Sequence, residues 1–292
     1  MLPMTGARIW RCRTYELALD VRTLLMGIVN VTPDSFSDGG MFGDDAGAAI
    51  RHGVELAAVG ADILDVGGES TRPGADPVPE AVELERVIPV VAGLVSSVDV
   101  PISVDTRKPA VARAALDAGA SIVNDISAAA APGMFDVVRE TGAGLVMMHM
   151  KGQPKTMQVA PAYVDVIAEV RGFLADRIGA AVGAGVPRTH ICVDPGIGFG
   201  KSMEHNLGLL RGIAGLRELR VPIMVGVSRK RFIGELSGAE LPADRVEGTA
   251  GAVAWCATQG VDLVRVHDVL EMNRVLRVVD ALSRAQPKEH EG

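Results

Sequence analysis

Eight times along this chain a short run of aliphatic residues gives way to a longer stretch with apolar residues at helical spacing. The runs fall at 24–31, 63–66, 102–105, 122–125, 144–148, 191–194, 223–227 and 263–266. They carry Val, Ile and Leu on both parities, as a parallel strand covered on both faces must. Amphipathic segments lie between them at 45–59, 80–95, 110–118, 133–140, 163–182, 203–210, 229–236 continuing to 244–259, and 270–283. Pro109 suits a first helical turn, and Gly60, Gly119, Gly142 and Gly260 stand where helices should stop. Eight strand-then-helix units with right-handed crossovers close into an α/β fold, the (β/α)8 or TIM barrel, whose working residues sit on the loops after the strands. An open doubly wound sheet competes with it, but no GxGxxG follows the first run.

No low-complexity linker interrupts the rhythm, so a single domain is the simpler organisation. It comprises an extension or plug over 1–23, weakly alternating like a small hairpin, then the barrel over 24–285 and a polar tail over 286–292. A formal charge of −7 argues against a general nucleic-acid or membrane-surface binder, so any anion must be attracted by a local cluster. Cys12, Cys192 and Cys256 are scattered and lack CxxC spacing, which predicts no disulfide and suits a reducing compartment. Neither a signal-peptide core nor an uninterrupted apolar span is found, and the cytoplasm is the expected location.

The predicted strand ends carry two kinds of chemistry. Asp105, Asn124 and Asp194 end small aliphatic strands and should face a poorly solvated interior, where an unpaired carboxylate is expensive. Each has an alternative reading as a helix cap, Asp105 before Lys108-Pro109 above all. Together they favour a ligand with several in-plane N–H donors, such as a 2-amino-pyrimidinone ring. The second kind is cationic: Arg72, Arg229, Lys230, Arg265 and His267, several of them after the last two strands, where such barrels bind phosphate. Ser228 is placed to cap a short helix there. A basic triplet such as Arg229–Arg231 is more often a solvated turn, but its position at the end of a buried strand favours an anion site. Asn30 is read either as a plain turn residue or as a contact to phosphate oxygens or to a Mg²⁺ that keeps most of its waters.

Two glycine-rich segments need separate tests. Asp194-Pro-Gly-Ile-Gly-Phe-Gly-Lys-Ser202 resembles a P-loop, but Pro195 stands where the first glycine of GxxxxGK[ST] belongs. A tight loop explains its glycines and leaves Phe199 and Lys201 as candidate ligand contacts. The polar segment 32–40 is built like a lid, on which Asp34 is best read as a turn former and Asp38 as a residue carried over a reacting centre. Met147, Met148 and Met150 around His149 offer a polarizable face for a flat ring, with core packing as the default.

In sequence order, Gly27 to Gly40, Asp65 to Gly74, Ser103-Val-Asp-Thr106, Asn124-Asp125, Met148-His-Met150, Asp194 to Lys201, Ser228-Arg-Lys230 and Arg265-Val-His-Asp268 resemble the dihydropteroate synthases of folate biosynthesis. The resemblance implies condensation of 6-hydroxymethyl-7,8-dihydropterin pyrophosphate with p-aminobenzoate on a pterin-binding barrel, usually a homodimer, that uses Mg²⁺ and is a target of sulfonamides. It implies that Asp105, Asn124, Asp194 and Lys230 hold the pterin, with Ile126 and Ser228 beside them and Met148 and Arg265 against its faces. The pyrophosphate falls to Asn30 with its Mg²⁺, to Arg265 and to His267. Thr71, Arg72, Pro73, Phe36, Phe199, Arg229 and Lys230 border the aminobenzoate. Lys230, Asp38 and Arg72 are the catalytic candidates, Asp38 stabilising a cation at the pterin methylene. The chain departs from the pattern at Arg231, where many members carry a serine. A corrinoid methyltransferase and a silent pterin binder are the alternatives, but neither explains why the Arg265 and His267 pair, Lys230 and the 32–40 loop are all present.

Overall fold

The computed structural model describes residues 8–31, 46–70 and 74–283. A hairpin comes first, β1 (Ile9–Cys12) and β2 (Tyr15–Ala18), antiparallel with Ile9 opposite Ala18. Eight parallel strands follow: β3 (Leu24–Asn30), β4 (Ile63–Gly67), β5 (Ile102–Asp105), β6 (Ile122–Asp125), β7 (Gly144–Met148), β8 (Ile191–Asp194), β9 (Met224–Gly226) and β10 (Leu263–Val266). They pair in the order β8-β7-β6-β5-β4-β3-β10-β9. The two ends of that order meet where Val193 bridges to Ile223, and the Val193 N–H donates to the Pro222 carbonyl at 2.9 Å. The eight-stranded barrel is thus closed, by its thinnest seam. The helices α1 (Ala46–Ala58), α2 (Glu80–Val95), α3 (Pro109–Asp117), α4 (Met134–Thr141), α5 (Val166–Gly183), α6 (Met203–Arg211), α7 (Arg231–Ser237), α8 (Val246–Thr258) and α9 (Val269–Ser283) surround it.

Four local expectations are corrected. The strand expected over 223–227 is only Met224–Gly226, because Pro222 has no N–H and the Ile223 N–H is taken by the Asp262 carboxylate at 2.9 Å. The helix expected from residue 229 begins at Arg231, with Lys230 at its N-cap and no side-chain cap. Arg229 adopts φ 56° and breaks the chain direction between Ser228 and the helix, so Ser228 is not the cap. Asp105 does not cap α3 either, since the Lys108 N–H donates to Thr106 Oγ1. The polar tail expected over 286–292 lies outside the described residues.

Alternation along each strand divides the apolar residues between two cores. Leu64, Val66, Val104, Val123, Leu145 and Val193 face outward and meet the helices. Ile63, Ile122, Val146, Cys192, Met224 and Leu263 face inward and fill the lower half of the barrel. Trp10, Cys12 and Leu19 of the N-terminal hairpin pack beneath that layer, so the first strand pair is the floor of the barrel. Arg8 grips Asp262 through two bonds of 2.8 and 3.0 Å, and the Trp10 indole donates to the His190 carbonyl at 2.9 Å. At Gly144 even a Cβ would lie 2.5 Å from the Cys12 sulfur, so only glycine admits the hairpin there. Cys12, Cys192 and Cys256 are free and buried. Among the described residues no helix is long and apolar enough to cross a membrane.

Candidate active site

The inward positions that come next along the strands are polar. Asp65, Asp105, Asn124, Met148, Asp194 and Arg265 follow the apolar layer at period two, and Asp105 stands beside Asn124 in register, as Met148 does beside Asp194. Above them opens a cavity of about 890 Å³ at the C-terminal ends of the strands. The cavity gathers the sequence candidates Asn30, Asp105, Asn124, Ile126, Met148, Asp194, Phe199, Ser228, Arg229, Lys230, Arg265 and His267 at one mouth. Met147, by contrast, turns outward into the helix-facing core, so only part of the methionine cluster offers a face to a ring. Thr71, Arg72, Pro73, Phe36 and Asp38 lie outside the described residues.

The deepest charged group is a triad absent from the sequence expectations. Arg265 Nε donates to Asp65 Oδ2 at 2.6 Å and Arg265 Nη2 to Asp105 Oδ2 at 2.9 Å. Asn124 Nδ2 donates to the same Asp65 oxygen at 3.0 Å, while Asp65 Oδ1 is buried without a partner. Burial opposes the Arg265 charge, but Asp65 and Asp105 outweigh it and hold the guanidinium protonated. Burial raises the Asp105 carboxyl to about 7, the Arg265 charge opposing and the nearby Asp65 reinforcing. Arg265 therefore belongs with the acids and is not a free member of a cationic clamp. Asp65 was overlooked although its signal was available: a carboxylate inside the aliphatic run Ile63-Leu-Asp-Val-Gly67, on the inward parity.

Asp194 is raised by burial, against which the Gly196 N–H pulls by donating to Oδ1 at 2.7 Å. Lys230 is half-buried, its Nζ 4.2 Å from the centre of the Phe199 ring. Burial lowers the Lys230 amine to about 8, with Asp194 opposing that shift and Arg265 adding to it. Burial and the charges of Arg265 and Arg229 lower His267 to about 3, so at neutral pH this residue is an uncharged imidazole and not a cation. Its Nδ1 lies 3.0 Å from Ser228 Oγ, which also accepts the His267 N–H at 3.1 Å. Ser228 thus fixes the imidazole instead of capping a helix. Arg229 lines the cavity, but its guanidinium is held by both oxygens of Asp268. Its N–H donates to Thr249 Oγ1 and its carbonyl accepts from Arg245. Lys201, an expected ligand contact, points inward, only 2% exposed, with Nζ 3.0 Å from His149 Nδ1.

A model of the family "Pterin binding enzyme" matches residues 26–267. The dihydropteroate synthase of Escherichia coli (strain K12) is 45% identical over 268 residues, covering 91% of this chain and 94% of that protein. Among solved structures, Xanthomonas albilineans dihydropteroate synthase with 4-aminobenzoic acid superposes with a TM-score of 0.90 at 49% identity, covering 96% of this chain and all of the other. The same organism's enzyme in complex with 7,8-dihydropteroate gives a TM-score of 0.85 at 46% identity over 94% of this chain and 99% of that one. With the family match running from the first barrel strand to the last, and relatives this similar along nearly their whole length, the chain belongs to the pterin-binding enzymes, among the dihydropteroate synthases.

Proposed function

We propose that this chain condenses 6-hydroxymethyl-7,8-dihydropterin pyrophosphate with p-aminobenzoate to give 7,8-dihydropteroate and pyrophosphate. The observation that carries the reading is the layering of one cavity: buried acids and amides at its depth, and Lys230, Ser228 and His267 above them. Asp194 and Asn124 receive the amino-imide edge of the pterin, Met148 and Ile126 lie along the ring, and Lys230 donates to its acceptors. The C–O bond at the pterin methylene breaks with its electron pair passing to the departing diphosphate. The arylamine lone pair then forms the C–N bond, and the nitrogen loses a proton. The resonance-stabilised cation between these steps calls for leaving-group stabilisation more than for a strong base. Phe199 and Lys230 border the aromatic amine. Thr71, Arg72, Pro73, Phe36 and Asp38 are assigned to the same chemistry from the sequence.

Asn30 offers one amide oxygen at the cavity wall, and among the described residues no group of three or more His, Cys, Asp or Glu could hold a metal. A single protein oxygen suits Mg²⁺, which keeps waters and takes its remaining ligands from a substrate diphosphate. Bound there, Mg²⁺ would neutralise charge on the leaving group. We also assign a second copy of the chain to the apolar groove between α6, α7 and α8, where Trp255 is 46% and Leu236 62% exposed, and place the enzyme in the cytoplasm.

The test is to mix purified protein with both substrates and Mg²⁺ and to follow pyrophosphate release. Release that depends on the amine is expected, and release indifferent to it would end the proposal. Lys230→Ala removes a charge-assisted contact of ~1.5–3 kcal/mol and should cut kcat/KM by roughly one to two orders of magnitude in a folded protein.

A further inference from the structure

The turn after β8 lies against the segment after β7, main chain to main chain. Gly196 and Gly200 have φ of 67° and 62°, and a Cβ on them would fall 1.9 Å from the His149 carbonyl oxygen and 2.2 Å from the Lys151 carbonyl oxygen. No side chain fits between the two segments, so the join depends on what reaches across it. One tie is the His149 N–H, which donates to the Asp194 carbonyl at 2.9 Å. Gln158 Nε2 donates to the Gly198 carbonyl at 2.6 Å and the Tyr163 hydroxyl to the Gly200 carbonyl at 2.9 Å. The tie that reaches Phe199 itself is Lys201. Its Nζ meets His149 Nδ1 at 3.0 Å and the Phe199 carbonyl at 2.9 Å, with the His149 carbonyl at 3.4 Å. Among the described residues no carboxylate forms an ion pair with it. An amine buried among neutral acceptors is costly, and a methionine of similar length would fill the same space without that cost. What the amine adds is direction, since it tethers the carbonyl of the very residue whose ring faces Lys230 Nζ at 4.2 Å. The imidazole at the other end of the tether is itself braced, edge-on to the Phe173 ring with centroids 5.0 Å apart.

We propose that Lys201 is a positioning residue that, through His149, seats Phe199 against Lys230 and so shapes the place of the aromatic amine. This rests on the synthase reading, because it assigns the amine to the space beside Phe199. One hydrogen bond of Lys201 falls on Phe199 and the other two tie its turn to His149, so their loss should act on the amine and spare the pterin.

The test uses the full-length chain and four proteins: wild type, Lys201→Met, His149→Leu and His149→Asn, the last keeping an acceptor where Nδ1 stood. For each, the KM for p-aminobenzoate is set beside the dissociation constant of the pterin, and amine binding is read by calorimetry with pterin and pyrophosphate present. Lys201→Met and His149→Leu are expected to raise the KM and weaken amine binding about tenfold, with pterin affinity within about twofold of wild type and His149→Asn close to wild type. A folded Lys201→Met with unchanged KM, or parallel losses for amine and pterin, would overturn the proposal. If Lys201→Met does not fold, the two His149 variants decide, and identical behaviour by both overturns it. Failure of the synthase reading shows separately, as a wild-type protein without amine-dependent pyrophosphate release.

Discussion

Asp65 is the hub whose removal should be felt most widely. Its side chain is fully buried, and one oxygen accepts from Arg265 at 2.6 Å and from Asn124 at 3.0 Å. Asp65→Ala leaves both donors without that acceptor. Breaking a buried charge pair costs ~3–5 kcal/mol, and because Arg265 keeps its bond to Asp105 the expected loss is at the lower end, ~3 kcal/mol. Asp65→Asn retains an oxygen but exchanges a charge-assisted bond for a neutral one, a difference of ~1 kcal/mol. In a chain of this size each kcal/mol moves the thermal midpoint by roughly 2 °C. Urea unfolding followed by circular dichroism gives the free energies, and a pterin titration on the same proteins reports whether Arg265 and Asn124 have moved. Since Asp65 is not part of the cavity wall, a loss of pterin affinity must pass through its neighbours there, Arg265 and Asn124 by their hydrogen bonds and Asp105 by its charge. Equal losses for Asn and Ala, or an Asp65→Ala protein within ~1 kcal/mol of wild type, would refute the reasoning.

Two further predictions concern other parts of the barrel. Burial raises Asp105 from the usual 3.8 to about 7, so between those values the native state binds more protons than the unfolded chain and stability should fall as pH rises from about 4 to about 7. Asp105→Asn should flatten that decline, as measured by urea unfolding across the range, and an unaltered slope would show that another group carries it. On the floor, Trp10→Ala should cost ~3–5 kcal/mol, as for a fully buried tryptophan, while leaving the KM for both substrates unchanged at a temperature where the variant stays folded. A changed KM there would mean that the floor and the mouth are coupled.

The strand ends were legible because β5, β6 and β8 are short, mostly apolar runs that end in Asp105, Asn124-Asp125 and Asp194. Period-two alternation then placed Asp105, Asn124 and Asp194 inside without further information. What escaped the sequence were pairings between distant residues. Arg265 was legible as a cation at a strand end, but nothing near it in sequence shows that Asp65 and Asp105, 200 and 160 positions away, hold it. Ser228 looked like a cap because the backbone reversal at Arg229 comes from Thr249 and Arg245, which lie beyond the next helix. Lys201 reads as a candidate ligand contact, because nothing near it in sequence shows that the approach of the β7 segment gives its amine acceptors inside.

The hairpin beneath the barrel also constrains the order in which the molecule can be assembled. Trp10 and Cys12 leave the ribosome well before their neighbours Cys192, Met224 and Leu263, and Arg8 waits for Asp262. The hairpin has no seat until the last barrel strand has been made, so its docking is a late event that locks the finished ring of strands.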